Sequence, residues 1–237
     1  MMLLAIGVGL LIGLSLGALG GGGSILTIPA LVYLLGQSPH QATAASLLVV
    51  GLAAVVGAIA HARAGRARLK TGAVFGLLGV IGSYAGSLAS AAVPASLLLA
   101  GFGVLMLVVA ATMIVRRRRV PCVSMPAHDA RSRTRHALVV AAAATGVGLV
   151  TGLFGVGGGF VVVPALVLAL GFDMPVAVGT SLVVIALNSA VALATRAAHG
   201  ALPLDWALVA TFTGAAILGT LAGTGMAGRV NPQRSRC

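Results

Sequence analysis

Seven long apolar stretches restrict what this chain of 237 residues can fold into. They cover residues 2–35, 41–61, 70–92, 94–115, 137–171, 175–198 and 204–228. A helix needs about 20 apolar residues to cross the hydrocarbon core of a bilayer. Charged residues make up only 8 % of the chain, whereas about 25 % is typical of soluble domains. The sequence therefore predicts an all-α integral membrane protein with about seven transmembrane segments.

The positive charges of the chain, which give a formal net charge of +12, indicate an orientation in the membrane. They stand mainly between the apolar stretches, so no folded basic domain remains to bind a nucleic acid. Positive loops stay on the cytoplasmic side. If every stretch crosses once from a cytoplasmic N terminus, the basic loop 116–136 and Arg196 are cytoplasmic, and the external loops hold no Lys or Arg. Only the tail, with Arg229, Arg234 and Arg236, lies on the wrong side.

The sequence repeats itself after a shift of 135 positions. The pairs that then coincide include Gly13 with Gly148, Gly17 with Gly152, Gly20 with Gly155, Gly22 with Gly157, Gly23 with Gly158, Pro29 with Pro164 and Ser46 with Ser181. We divide the chain into a first transmembrane repeat (1–115), a basic cytoplasmic loop (116–136) and a second repeat (137–237). The second repeat lacks a fourth segment, as expected of a seven-spanning or a truncated chain. Four crossing helices per repeat would make the repeats parallel, whereas a glycine segment that re-enters the membrane would invert them.

Glycine clusters interrupt the first and fifth stretches, which are each about 34 residues long. The clusters are Gly20, Gly21, Gly22 and Gly23 in the first stretch and Gly155, Gly157, Gly158 and Gly159 in the fifth, and Pro29 and Pro164 follow them. Each glycine costs up to about 1 kcal/mol of helix propensity relative to alanine. We therefore expect two broken helices, each with an unwound hinge followed by a half-helix. Ser24 is the predicted N-cap of the first half-helix.

The breaks suggest a binding site made of backbone. The first N–H groups of a half-helix have no intrahelical partner and carry a partial positive charge. Two such ends that meet near the midplane would form an anion site without any buried Arg or Lys. The alternative interpretation is close helix packing through small residues. We expect that packing role for Gly13, Gly17, Gly79, Gly82 and Gly86.

Polar residues of the second and sixth stretches are the next candidates. Ser46 and Ser181 occupy equivalent positions, and Thr180 and Asn188 are added in the second copy. The hydroxyls could instead bond to carbonyls of their own helix, whereas a buried amide such as that of Asn188 needs partners.

No carboxylate lies within an apolar stretch, which argues against a cation channel or exchanger. Asp129, Asp173 and Asp205 are expected in loops or at helix ends, and His40, His61 and His199 at the membrane interface. Neither a nucleophile–base pair nor a metal-binding spacing is visible, so we predict no enzyme activity, no metal and no cofactor.

The two copies read GALGGGGSILTIPALVYLLGQSPHQATAASLLVV and GLFGVGGGFVVVPALVLALGFDMPVAVGTSLVVIALNS. They resemble the TauE/SafE family of sulfite and organosulfonate exporters over nearly the whole chain. The resemblance implies an inner-membrane permease of a bacterium or archaeon for small sulfur-containing or carboxylate anions, with eight segments of which the last is missing here. It also implies that the motif residues line the pathway, and with Asn188 from the residue argument the predicted set is Gly20, Gly21, Gly22, Gly23, Ser24, Thr27, Pro29, Ser46, Gly155, Gly157, Gly158, Gly159, Pro164, Thr180, Ser181 and Asn188.

We therefore predict a secondary transporter of small anions whose N terminus and loop 116–136 are cytoplasmic. Its expected partners are the anionic substrate and the lipid bilayer, with no nucleic acid, and a homodimer stays open. The alternative function is a non-transporting membrane scaffold or assembly factor. The sequence determines neither the anion, nor the direction of transport, nor a coupling ion.

Overall fold

The computed structural model describes residues 2–94, 130–154, 159–170, 172–198 and 205–229, with isolated helical positions between Ser96 and Ala111. The described residues are almost entirely helical and include no strand, which confirms the all-α part of the predicted fold class for these residues. The helices are α1 (Met2–Leu19), α2 (Ser24–Pro29), α3 (Pro39–Arg63), α4 (Leu69–Ala92), α5 (Ala130–Phe154), α6 (Gly159–Leu170), α7 (Met174–Ala198) and α8 (Trp206–Arg229). A 3-10 turn at Gly20–Gly23 joins α1 to α2, and a π-helical turn at Ala30–Leu34 extends α2.

Four described helices are long and apolar enough to cross a membrane. They are Pro39–Arg63, Leu69–Ser90, Met174–Ala198 and Trp206–Met226, while Leu4–Leu19, Ser24–Leu34 and Val140–Phe154 form shorter apolar helices. The first predicted stretch is thus not one helix, because it breaks at its glycine cluster as expected. In the fifth stretch α5 ends at Phe154 and α6 begins at Gly159, and residues 155–158 lie outside the described part of the chain.

The helices α3 and α7 form the centre of the bundle and run antiparallel. They are the most buried candidate spans, since 67 % and 61 % of an apolar 18-residue window lie inside the bundle, against 44 % and 50 % for α4 and α8. Gly51 of α3 faces Ser189 of α7, and Gly57 faces Leu182, so residue numbers rise in one helix as they fall in the other. A shift of 135 positions carries the bounds of α3 onto those of α7. Corresponding helices of the two sequence copies therefore point in opposite directions.

The start of α3 is fixed by a capping box. The Ser38 hydroxyl oxygen accepts from the N–H of Gln41 at 3.4 Å, and the Gln41 side-chain oxygen accepts from the N–H of Ser38 at 3.3 Å. Pro39 occupies the first helical position, where its missing N–H costs no hydrogen bond. The chain therefore enters α3 at a defined residue after the half-helix α2.

Glycine faces allow two further helix pairs to pack closely, α1 on α8 and α4 on α5. A Cβ on any of these glycines would overlap a backbone carbonyl of the facing helix, because the two backbones touch. The close pairs are Gly13 with Ala216, Gly17 with Thr220, Gly148 with Gly79, Gly152 with Ser83, Gly82 with Thr145 and Gly86 with Leu149. The predicted packing role is confirmed for the glycines of α1 and α4, and in both pairs the helices run parallel.

Each broken helix turns back toward the side from which it came. The end of α1 lies near the end of α3, because the His61 ring Nε2 is 3.0 Å from the Gly17 carbonyl oxygen. Since α3 begins at the opposite end, α2 must return the chain there, and Gly23 accordingly packs against Ile12 and Leu16 of α1. The expectation that the first stretch crosses the membrane once is therefore wrong.

The second broken helix makes the same return from the other end of the bundle. The start of α7 lies at the start of α4, where the Arg68 N–H donates to Thr180 Oγ1 at 3.1 Å. Because α5 runs parallel to α4, it points away from that end and α6 brings the chain back. Met2 and Ala130 consequently lie at opposite ends of the bundle. The prediction that the N terminus and the loop 116–136 share the cytoplasmic face is wrong for a bundle that spans the membrane.

Candidate functional site

The two broken helices meet inside the bundle. The backbone of Gly21 touches the backbone of Gly159 at the start of α6, and a Cβ on either residue would overlap the other. A Cβ on Gly159 would also reach the Ile185 side chain, which places the contact close to the middle of α7. The structure thus brings the two glycine breaks together as the sequence predicts. Gly155, Gly157 and Gly158 lie outside the described residues.

The first break is a tight turn and not an unwound hinge. Gly20 has a φ of +72°, which favours glycine, and the next residues form the 3-10 turn. Gly23 keeps helical backbone angles, so α2 begins at Ser24 without a side-chain cap. The Ser24 hydroxyl instead donates back to the Gly21 carbonyl at 2.7 Å. The predicted N-cap role of Ser24 is therefore wrong, because helical geometry continues through the turn.

Thr27 and Pro29 lie in the half-helix α2. Thr27 is fully buried, and its Oγ1 has no hydrogen-bond partner among the described residues. Pro29 lacks an N–H and is followed by the π-helical turn. Pro164 occupies the matching place inside α6, and both prolines are half-buried.

The serine and threonine candidates of α3 and α7 have different surroundings. Ser181 donates to the Val178 carbonyl at 2.8 Å, which is the local bond that the alternative interpretation expects. Its Oγ nevertheless lies beside the first break, 2.9 Å from the place of a Cβ on Gly20. Ser46 is fully buried in α3. The hydroxyl of Thr180 is directed to the start of α4 by its bond from Arg68.

Asn188 is fully buried in α7, near the middle of the bundle. Neither polar atom of its side-chain amide has a partner among the described residues, although the amide lies close to Gly79. Its backbone carbonyl accepts from the Ser83 hydroxyl at 2.9 Å. Of the predicted polar residues, Asn188 and Thr27 are the two with buried side-chain polar atoms that the described residues leave unsatisfied. Such atoms are costly without a partner.

Sequence reasoning missed one buried cation. Arg196 was expected in a cytoplasmic loop, but only 6 % of the residue is exposed. Its guanidinium donates to Thr43 Oγ1 at 3.2 Å, to Ser90 Oγ at 2.7 Å and to the Gly152 carbonyl at 3.1 Å. The predicted backbone site for an anion uses no buried Arg, whereas the bundle does bury this one. Burial follows from the contact with three other helices.

The repeat contains the signal that would have found this residue. A shift of 135 positions places Arg196 on His61, and Gly152 on Gly17. His61 lies in the last turn of α3, and it is buried there, with only 1 % exposed. Its contact with the Gly17 carbonyl corresponds to the contact of Arg196 with the Gly152 carbonyl. In both copies a basic side chain late in the central helix reaches a carbonyl just before the glycine break.

Within the described ranges, no group of three His, Cys, Asp or Glu side chains is placed to hold a metal ion. The two carboxylates of those ranges, Asp173 and Asp205, are exposed and lie just before α7 and α8. Among the described residues, the polar chemistry of the bundle interior thus consists of hydroxyls, side-chain amides, backbone groups and the cationic or basic side chains.

Comparison with known proteins assigns the chain to a family. Residues 5–236 match the family described as "Sulfite exporter TauE/SafE". A protein of Xylella fastidiosa named "Probable membrane transporter protein" is 33 % identical over 234 residues, which cover 98 % of this chain and 87 % of that relative. "Probable membrane transporter protein YunE" of Bacillus subtilis is 30 % identical over 200 residues, 76 % of this chain and 72 % of that relative. No solved structure matches the chain. The chain belongs to the TauE/SafE family of membrane transporters.

Proposed function

We propose that this protein is a secondary transporter that moves small anions across the prokaryotic inner membrane. Sulfite, organosulfonates and related sulfur-containing or carboxylate anions are the candidate substrates. The observation that supports the proposal is the contact between Gly21 and Gly159, where two re-entrant half-helices from opposite ends of the bundle meet. Glycine leaves the backbone there without side chains that would keep a ligand away. The unsatisfied polar atoms of Thr27 and Asn188 provide further hydrogen-bonding capacity.

The proposed architecture is a pair of inverted repeats, residues 1–115 and 137–237, on either side of the basic segment 116–136. The antiparallel directions of α3 and α7 support it, since these helices correspond in sequence. Inverted repeats suit a carrier because the two repeats can exchange their conformations. This exchange converts a state that is open to one side of the membrane into a state that is open to the other. The pathway would run past the glycine contact, between the two halves.

The observed helix directions also suggest an orientation opposite to that expected from the sequence. The ends of α3 and α8 and the starts of α4 and α5 lie at one end of the bundle. The described basic residues there are Arg63, Arg66, Arg68 and Lys70, the arginines at positions 131, 133 and 135 in the first turns of α5, and Arg229 at the end of α8. The described loop residues at the other end, 35–38, 93–94 and 205, include no Lys or Arg. By the positive-inside rule the basic end is cytoplasmic, so the N terminus is external and the tail no longer lies on the wrong side.

The proposal is tested by transport into proteoliposomes that contain the purified protein. We would measure uptake of radiolabelled sulfite, an alkanesulfonate and acetate, with protein-free liposomes as the blank. Gly21→Leu should abolish uptake, because its side chain would collide with the backbone of Gly159. Gly7→Leu is the matched control, since a Cβ on Gly7 meets nothing within 4 Å. Transport of none of the three anions by the wild type, or wild-type uptake by folded Gly21→Leu, would contradict the proposal.

A further inference from the structure

The guanidinium of Arg196 lies inside the bundle, where two hydroxyls and a backbone carbonyl surround it. Its two Nη atoms donate to Thr43 Oγ1, Ser90 Oγ and the Gly152 carbonyl, which come from α3, α4 and α5. Its Nε is buried and has no hydrogen-bond partner among the described residues. Three helices thus supply acceptors to this side chain, and every one of these acceptors is neutral.

No described carboxylate balances the charge of Arg196. Asp205 is exposed, and its Oδ1 accepts from the Leu208 N–H at 3.4 Å. Asp173 is exposed and precedes α7, whereas Arg196 lies near the end of that helix. The carbonyl end of α5 beside Gly152 contributes roughly half a negative charge, which is less than the charge of the guanidinium. A buried cation of this kind is normally stabilised by an anion.

We propose that Arg196, together with the hydroxyls of Thr43 and Ser90, binds the anionic group of the transported substrate. This inference rests on the proposed function and names the residue that supplies the positive charge. The ligand class is an oxyanion, such as a sulfonate, sulfite or carboxylate group. A guanidinium suits it because its planar N–H donors bind two oxygens of one anion side by side. The unpaired Nε–H is available for one of these bonds, and the Ser90 hydroxyl can rotate toward a bound oxygen.

The place of Arg196 in the fold fits this role. Gly152 lies two positions before the end of α5, so the guanidinium stands at the approach to the second glycine break. Under the proposed orientation this part of the bundle is nearer the external face, because α7 ends there. The corresponding residue of the first copy is His61, which faces the opposite half of the bundle. The two copies therefore differ in the residue that would meet an anion, a permanent cation in one and an imidazole in the other.

The equivalence of these positions provides a matched substitution. Arg196→His places in the second copy the residue that the fold already accommodates in the first, where His61 Nε2 reaches the Gly17 carbonyl. The substitution converts a permanent positive charge into a titratable one. Arg196→Gln retains hydrogen-bonding capacity and removes the charge at every pH. Arg66→Gln is the control, since Arg66 donates to the Thr224 carbonyl at 3.5 Å, away from this site.

The experiment measures the affinity of the purified full-length variants for ethanesulfonate, whose charge is constant between pH 5.5 and pH 8. We expect Arg196→Gln to weaken binding about tenfold or more, as loss of a charge-assisted pair does, and Arg66→Gln to leave it unchanged. Arg196→His should bind several times more tightly at pH 5.5 than at pH 8, because an imidazole that faces an anion gains a positive charge as the pH falls. The wild type, which retains His61, gives the reference pH profile.

A purely structural role for Arg196 leads to different results. It predicts a loss of thermal stability in Arg196→Gln without a change in affinity, and no additional pH dependence in Arg196→His. Either result with folded protein would overturn the inference. If instead the wild type binds and transports no anion, the transport proposal fails first and the role of Arg196 in anion binding fails with it.

Discussion

The packing of α4 on α5 allows a prediction of stability in which one glycine variant serves as the control for the helix propensity of another. Gly146 and Gly148 both lie in α5, two positions apart, and they face different sides of the helix. A Cβ on Gly146 meets nothing within 4 Å, whereas a Cβ on Gly148 would overlap the Gly79 carbonyl group. Both substitutions to alanine gain helix propensity of up to about 1 kcal/mol. Only Gly148→Ala adds an overlap between two backbones, and neither backbone can rotate away as a side chain would.

The expected free-energy difference between these variants isolates the steric cost. Overpacking a close contact costs about 1–3 kcal/mol. We therefore expect Gly146→Ala to be neutral or stabilising by up to about 1 kcal/mol, and Gly148→Ala to unfold more easily than Gly146→Ala by about 1–3 kcal/mol. Unfolding by SDS in mixed micelles, followed by far-UV circular dichroism, measures both values.

The first copy provides an independent test of the same reasoning. Gly13→Ala would overlap the Ala216 carbonyl of α8, and Gly7→Ala would meet open space. This pair should therefore show the same sign and a similar size of difference. If Gly148→Ala and Gly13→Ala both unfold within 0.5 kcal/mol of their controls, a margin typical of substitutions without structural effect, the close backbone contacts are refuted.

Three further predictions concern single residues. Asn188→Ala removes a buried amide that has no partner among the described residues. Unfolding in SDS should therefore show unchanged or higher stability, while anion uptake falls. A loss of stability of about 1 kcal/mol or more would show that the amide is paired. Ser83→Ala removes the hydrogen bond to the Asn188 carbonyl. It should lower the free energy of unfolding by about 0.6 kcal/mol, the average for polar contacts in membrane helices. An unchanged free energy of unfolding in SDS would contradict that bond. Cys122 should resist a membrane-impermeant maleimide in intact cells and react in inverted vesicles, whereas a cysteine introduced by Met2→Cys should behave in the opposite way. Labelling of Cys122 from outside would contradict the proposed orientation.

The sequence predicts the positions of the helices and of their breaks because those depend on local composition. Glycines at 20–23 and the apolar runs on each side of them are sufficient to indicate a broken helix. The direction of the chain after the break is not local information. A stretch of about 34 residues is long enough either to cross once with an extension or to enter and return. The bond between Arg68 and Thr180, 112 residues apart, shows the return for the second copy, and no window of the sequence contains it.

The local sequence around Arg196 does not indicate its burial, for a similar reason. The residue stands near the end of an apolar stretch, where arginine is usually interfacial. It is buried because Thr43, Ser90 and Gly152 surround it, and these residues are 153, 106 and 44 positions away along the chain. The position is nevertheless marked in the repeat, since it coincides with His61. Comparing the two copies at basic residues, and not only at glycines, would have identified it.

The packing of helices from one half of the sequence on helices from the other half has a consequence for biosynthesis. The helix α1, which is made before the other described helices, packs on α8, the last described helix to be made. During most of translation the glycine face of α1 is therefore covered only by lipid or by the insertion machinery. Each half thus carries glycine faces that pack on helices of the other half, since α4 likewise packs on α5. The bundle can close only after α8 has been made, and a chain cut within 116–136 would yield two fragments whose helices pack on each other.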